Sequence, residues 1–341
     1  MTSTAAPRRR RAGRRTSLLG LGIVVLVTMA GCAASPPEPT PEAAPAVAPP
    51  AVTVAQSENV LDQVGAALAA GDAALDPSLL TDRVSGPALA IRTAEYVRAT
   101  ATGGAKTPTV LPTVAQALVV PDTDVWPRTQ LVVTEQPEDL QAPRLLVLRQ
   151  DSAREPYRLW GWARLGPSVT MPPTADPATG SLPLAADDAS LLVTPADAMS
   201  QYADVLANGD ASAYAATFPA DFFRTSVENA RGAVQASFQP VGTVTETYTP
   251  VEGEVMALAT VDGGAIVVGQ MSTVTTVAIA QGSIALSDPF EAALAGRDSV
   301  SSSLVRTYSD VIALYVPPKD SATPQVQVLA VEHAITSVTG E

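Results

Sequence analysis

One cysteine, one histidine and two lysines serve a chain of 341 residues, and aromatic side chains make up only 4% of it. With Cys32 alone, no disulfide can form within the chain, so the fold must be held by its core. Zinc sites need several His or Cys ligands, and Cys32 with His333 cannot assemble one. A glycine-x-serine-x-glycine elbow is missing, neither Lys106 nor Lys319 follows a serine by three residues, and no glycine-rich phosphate loop opens a helix. The usual signatures of hydrolases, transpeptidases and nucleotide enzymes are thereby excluded. The acidic stretch "PDTDVW" (121–126) lacks the glycine turn and closing glutamate of a calcium loop, and reads as a solvated turn. No apolar run approaches the roughly 20 residues of a membrane-spanning helix; the N-terminal "LLGLGIVVLVTM" has 12.

That run is informative for what flanks it. Arg8, Arg9, Arg10, Arg11, Arg14 and Arg15 precede it without any acid, the arrangement of a secretory targeting segment. It ends in Met29-Ala30-Gly31-Cys32, which resembles the lipobox of bacterial lipoproteins, with Met29 in place of the more usual leucine. The resemblance implies cleavage between Gly31 and Cys32, a diacylglycerol thioether on Cys32 and N-acylation of the new terminus. No other cofactor is expected. Two or three acyl chains, at about 0.8 kcal/mol per buried methylene, give durable anchoring. Arg14-Arg15 also raises twin-arginine export, but Ser17 stands where that motif wants a hydrophobic residue, and ordinary secretion is preferred.

Without the six leader arginines the chain carries 15 basic and 34 acidic residues, a formal charge of −19. This argues against nucleic acid and against direct adhesion to anionic lipid. Arginine in place of lysine, with abundant alanine, is the accent of high-G+C bacteria. Residues 32–55, rich in proline and alanine, read as an extended linker.

The remaining body suits two cores, and an internal similarity supports two. "ALAAGDA" (67–73) recurs as "VLANGDA" (205–211), each after an apolar helical stripe: Val60, Leu61, Val64 and Leu68 in the first, Met199, Tyr202, Val205 and Leu206 in the second. Gly71 and Gly209 are expected to cap these helices in the left-handed conformation, with Asp72 and Asp210 starting the next turn. A second helix is expected near 86–100 and 220–236, and each half then turns to strands. Asp262-Gly263 marks a hairpin. Residues 56–167 and 191–341 thus read as two α+β domains, each a pair of helices and then a curved antiparallel sheet, joined by a proline-rich linker at 168–190.

This order, with Leu68-Gly71-Asp72 and Leu206-Gly209-Asp210, resembles the cone-shaped NTF2-like superfamily, here in tandem on a Gram-positive lipoprotein of uncharacterised kind. The resemblance implies a cone able to hold a small apolar molecule, and no particular reaction. Some members use a pocket Asp or His for proton transfer with a tyrosine as oxyanion donor, which makes His333 the candidate base. Alternation through "QVQVLAVEHAITSV" puts Gln327, Leu329, Val331, His333 and Ile335 on one face. A satisfied, partly buried histidine is the more common outcome there. Trp160 and Trp162 would share a strand face and could build a platform for a sugar ring; packing of the sheet against a helix is the preferred reading.

The expectation is an extracytoplasmic, membrane-anchored binding or scaffold protein of the cell envelope without catalytic residues. Its partners would be an envelope protein, cell-wall material or a small apolar ligand. An NTF2-like isomerase or dehydratase is the alternative. A transporter-associated ligand-binding lipoprotein is a third reading, against which stands the missing strand-helix alternation of two doubly wound lobes.

Overall fold

The computed structural model describes residues 50–137, 141–239 and 241–341, all within one compact unit, residues 44–341. Gly31, Cys32 and the leader lie outside the described residues. Helix α1 (Val54–Ala74) starts at a capping box, where Thr53 Oγ1 accepts from the Gln56 N–H and Gln56 Oε1 accepts from the Thr53 N–H. Its buried stripe is Leu61, Val64, Leu68 and Gly71, the spacing of one helical face.

Gly71 does not cap this helix. The chain stays helical through it, and the left-handed cap falls on Leu75 at φ 51°. A Cβ on Gly71 would stand 2.6 Å from both Leu80 Cδ2 and Tyr96 Oη. The glycine is thus a point of close approach, and Asp72 accepts a 2.7 Å hydrogen bond from the Tyr96 hydroxyl. Helix α2 (Gly86–Ala101) follows, then strands β1 (Ala115–Val119), β2 (Arg128–Thr134), β3 (Arg144–Gln150) and β4 (Arg158–Leu165), with β5 (Pro183–Leu184) inside the proline-rich stretch.

The second half repeats this order with helices α3 (Pro195–Asn208) and α4 (Phe222–Phe238), then β6 (Gly242–Ala259) and β7 (Ala265–Ile279). A small hairpin, β8 (Ile284–Ala285) and β9 (Ser299–Val300), brackets helix α5 (Pro289–Ala295), and the chain ends in β10 (Ser303–Val316) and β11 (Gln327–Gly340). Here Gly209 does cap α3, but with φ 58° and ψ −134°, outside the left-handed helical conformation expected of it. β6 runs unbroken from Gly242 to Ala259, with a register shift against β7 between Pro250 and Val255. In the hairpin to β7, Gly263 alone takes positive φ, and the Asp262 carboxylate accepts from Thr260 Oγ1 and the Gly264 N–H.

Apart from the β8–β9 hairpin, the strands form one curled, antiparallel sheet in the order β1-β2-β3-β4-β11-β10-β7-β6-β5. The halves meet where β4 pairs with β11, through Ala330 with Leu165 and Val331 with Arg164. Side chains of β7 and β10 alternate between two cores. Ile266, Val268, Val311 and Ala313 join the core built on α1, α2 and β1–β4. Ala265, Val267, Ile312 and Leu314 join the core beneath α3 and α4. The two outer edges of the sheet are strapped by one segment: the Ser181 N–H donates to Val120 O and its carbonyl accepts from the Asp122 N–H, both at 2.8 Å, while β5 just beyond pairs with β6.

Two glycine substitutions separate packing from propensity. Gly71→Ala forces Leu80 and Tyr96 apart, and overpacking of this kind costs about 1–3 kcal/mol. At Gly232 in α4 a Cβ meets nothing within 4 Å, so Gly232→Ala stabilises by roughly 0.5–1 kcal/mol. Urea unfolding of the two variants is expected to move in opposite directions.

Candidate functional site

Asp310 stands in the middle of β10, directly opposite His333 on β11, and its side chain is wholly buried. Such a carboxylate requires partners. His333 Nδ1 lies 2.6 Å from Oδ1, and Thr273 Oγ1 of β7 donates to Oδ2 at 2.5 Å. An ionised carboxylate only accepts hydrogen bonds, so the ring nitrogen facing it carries the proton and Nε2 is the nitrogen left for other work. Tyr308 stacks on the imidazole at 4.2 Å between ring centroids and 7° between planes, and Phe223 of α4 meets it tilted at 5.5 Å. The histidine side chain keeps 31% exposure.

The strand places His333 on a different face from the one simple alternation predicts. A register shift between β10 and β11 leaves Leu329 as an extra residue. Such a bulge flips the alternation: Leu329 and Ala330 pack into the first core, Val328 and Val331 into the second. His333 therefore opens towards α4, beside Val331, into a surface cavity of about 460 Å³ with Arg164, Leu165, Phe222, Phe223 and Glu332 in its wall. Arg164 is exposed and has no ion pair or hydrogen bond from its side chain among the described residues. A second basin of about 620 Å³ shares Pro167 and Phe222 with the first. Phe222 lies so close over Gly166 that any Cβ there would run into its ring.

Two carboxyls flank this groove. Burial pushes Glu332 up, helped by Glu95 and opposed by Arg144, Arg164 and His333. Burial also raises Asp221, against the N–H groups of Arg224 and Phe223 and the Tyr202 hydroxyl. Asp221 caps α4, accepting from Phe223 N at 2.8 Å and Arg224 N at 3.0 Å, and Tyr202 donates to both of its oxygens. Burial and that same carboxylate hold the Tyr202 phenol well above its ordinary value. The groove thus offers apolar walls, one unpaired guanidinium, an oriented imidazole and a carboxyl inclined to keep its proton. Together these can hold a small, largely apolar molecule and exchange a proton with it.

Trp160 and Trp162 are not part of this groove. Both lie in the first core, 3% and 0% exposed. Trp160 Nε1 donates to Glu254 Oε2 at 3.0 Å, and the Arg92 guanidinium of α2 sits 5.3 Å from the Trp162 ring. Neither indole presents a face to solvent. Sequence reasoning found His333 and missed Asp310, Thr273 and the Phe222-Phe223 wall. An aspartate inside the apolar run "YSDVIALYV" was the available signal. Among the described residues no group of three or more His, Cys, Asp and Glu is placed to hold a metal, and no helix is long and apolar enough to cross a membrane.

Leaving a wholly buried carboxylate short of a hydrogen-bond donor costs roughly 1–3 kcal/mol. His333→Ala is therefore expected to destabilise by about 1–3 kcal/mol, and much of the loss should return when Asp310→Leu is added, as a double-mutant cycle would read. Glu332 gives a pH signature. Its folded-state pKa is raised, so the unfolded chain ionises first and the group works against the fold as pH rises through that window. Glu332→Gln should raise the melting temperature at pH 7, and the gain should vanish below about pH 4.

Comparison with curated proteins and with solved structures gives no match. A single family model spans both halves, and by that match over residues 48–340 the chain belongs to the family described as a domain of unknown function, DUF8094.

Proposed function

We propose that the mature protein is a lipid-anchored, extracytoplasmic binding protein of the cell envelope that takes a small, largely apolar ligand in the groove beside His333. The observation that carries the anchoring is Met29-Ala30-Gly31-Cys32 behind six arginines and an apolar run. The proline-rich segment after it gives the body reach from a membrane surface. Binding is supported by the groove's apolar walls of Leu165, Phe222 and Phe223, set beside the lone cation Arg164. The order of two helices and then a bent antiparallel sheet, repeated in both halves, supports a descent from tandem NTF2-like cones fused edge to edge at β4 and β11.

A second reading rests on the Asp310–His333 pair. A braced imidazole in an apolar groove is the arrangement of a general base, which would make the protein an isomerase or dehydratase acting on the same class of molecule. Native mass spectrometry of the purified protein separates the two: a retained ligand of unchanged mass favours binding, and its conversion, abolished by His333→Ala, favours catalysis.

Anchoring has its own test. Labelling of the cells with palmitate should mark the protein, and Cys32→Ala should lose the label and release the chain from the membrane fraction. Label retained in that variant would refute the anchor.

A further inference from the structure

A second site lies away from the His333 groove, where the described chain begins. Ala51 and Val52, the first turns of α1 and the β3–β4 connection surround a pocket of about 340 Å³. Gln56, Asn59 and Gln63 project into it from α1 at spacings of three and four, which puts three amides on one helical face. Arg83 and Arg128 supply two guanidinium groups, and no carboxylate lines the pocket, although acids outnumber bases 34 to 21 in the whole chain.

Neither arginine has an acidic partner. Arg128 donates only to the carbonyls of Val125 and Ala51 and lies 4.0 Å from the Trp126 ring centroid. Arg83 makes no side-chain hydrogen bond or ion pair among the described residues. The wall also holds Tyr157, 6% exposed, whose hydroxyl has no partner. Burial pushes that phenol up to about 12, so it keeps its proton and remains a donor. Beside the pocket, Trp126 is 38% exposed and donates from its indole N–H to Gln150 Oε1 at 3.1 Å.

We propose that this pocket binds an anionic sugar, with Arg83 and Arg128 on its phosphate or carboxylate and the α1 amides on its hydroxyls. The guanidinium fork matches either oxyanion with paired hydrogen bonds. Gln63 Nε2 donates to Asn59 Oδ1 and Gln56 Oε1 serves the helix cap, which leaves Gln56 Nε2 and Asn59 Nδ2 as donors and Gln63 Oε1 as an acceptor for hydroxyls, and an exposed indole gives a sugar ring a flat apolar partner. The site is independent of the His333 groove and stands or falls separately.

Trp126 supplies the readout, since Trp160 and Trp162 are buried. The full-length chain in detergent is titrated with glucose 1-phosphate, glucuronate, inorganic phosphate and glucose while tryptophan emission is followed. A saturable change with glucose 1-phosphate or glucuronate, weaker with inorganic phosphate and absent with glucose, is the expected result, and the tighter of the two identifies the oxyanion. Arg83→Gln removes a charge-assisted hydrogen bond and should weaken binding roughly tenfold or more. Arg128→Gln should do the same, and salt should weaken the native complex. Arg83 has no structural contact to lose, so its variant should melt as the native protein does. Equal binding of inorganic phosphate, no saturable change, or unchanged affinity in Arg83→Gln would overturn the proposal.

Discussion

Everything in this fold leans on β7 and β10, two long strands whose paired stretches at 265–269 and 309–314 are buried on both faces. One face takes the first half of the chain and the other takes α3 and α4, so neither core can be completed without the same pair of strands. Strands covered on both sides carry near-continuous apolar runs, and "AIVVG" and "VIALYV" are such runs. The chain has little aromatic mass to fill a wide interior. It instead lays aliphatic strands between two helical layers, and glycines admit close approach. Gly269 on β7, for example, leaves room for Met199 of α3, whose sulfur would stand 2.9 Å from a Cβ there.

The groove follows from that architecture. Asp310 belongs to the face of β10 that also carries Ile312 and Leu314 into the second core, so its charge sits in apolar surroundings. His333 and Thr273, one from each flanking strand, are the neighbours able to satisfy it. The bulge at Leu329 is what brings the imidazole round to that face, and α4 then closes on it with Phe223. A backbone irregularity of one residue thus decides whether the chain's single histidine faces the first core or a solvent-accessible groove.

Much of the architecture was legible in the sequence, and the reasons for the exceptions are physical. Helix positions were readable because apolar stripes at spacings of three and four are local, as were the hairpin at Gly263 and the place, though not the conformation, of the cap at Gly209. The role of Gly71 was not, because it depends on Leu80 and Tyr96 approaching from elsewhere. Pairing of β4 with β11 joins residues some 165 positions apart, and no periodicity reports a contact at that separation. The same holds for the site. His333 stood out by its rarity, whereas its partners are ordinary residue types whose importance comes from pairing across strands.

The strap at Ser181 has a mechanical meaning. Ala51 N donates to Pro121 O, and Pro121 is bridged to Ser181, the residue that joins β1 to the β5–β6 edge. Tension arriving along the chain ahead of Pro50 therefore enters the body at the seam between its two outer edges. That seam, like the two-pair junction of β4 with β11, is short, so such tension is borne by a few hydrogen bonds and not by the long paired strands. β10 and β11, which shape the His333 groove, take no part in that seam.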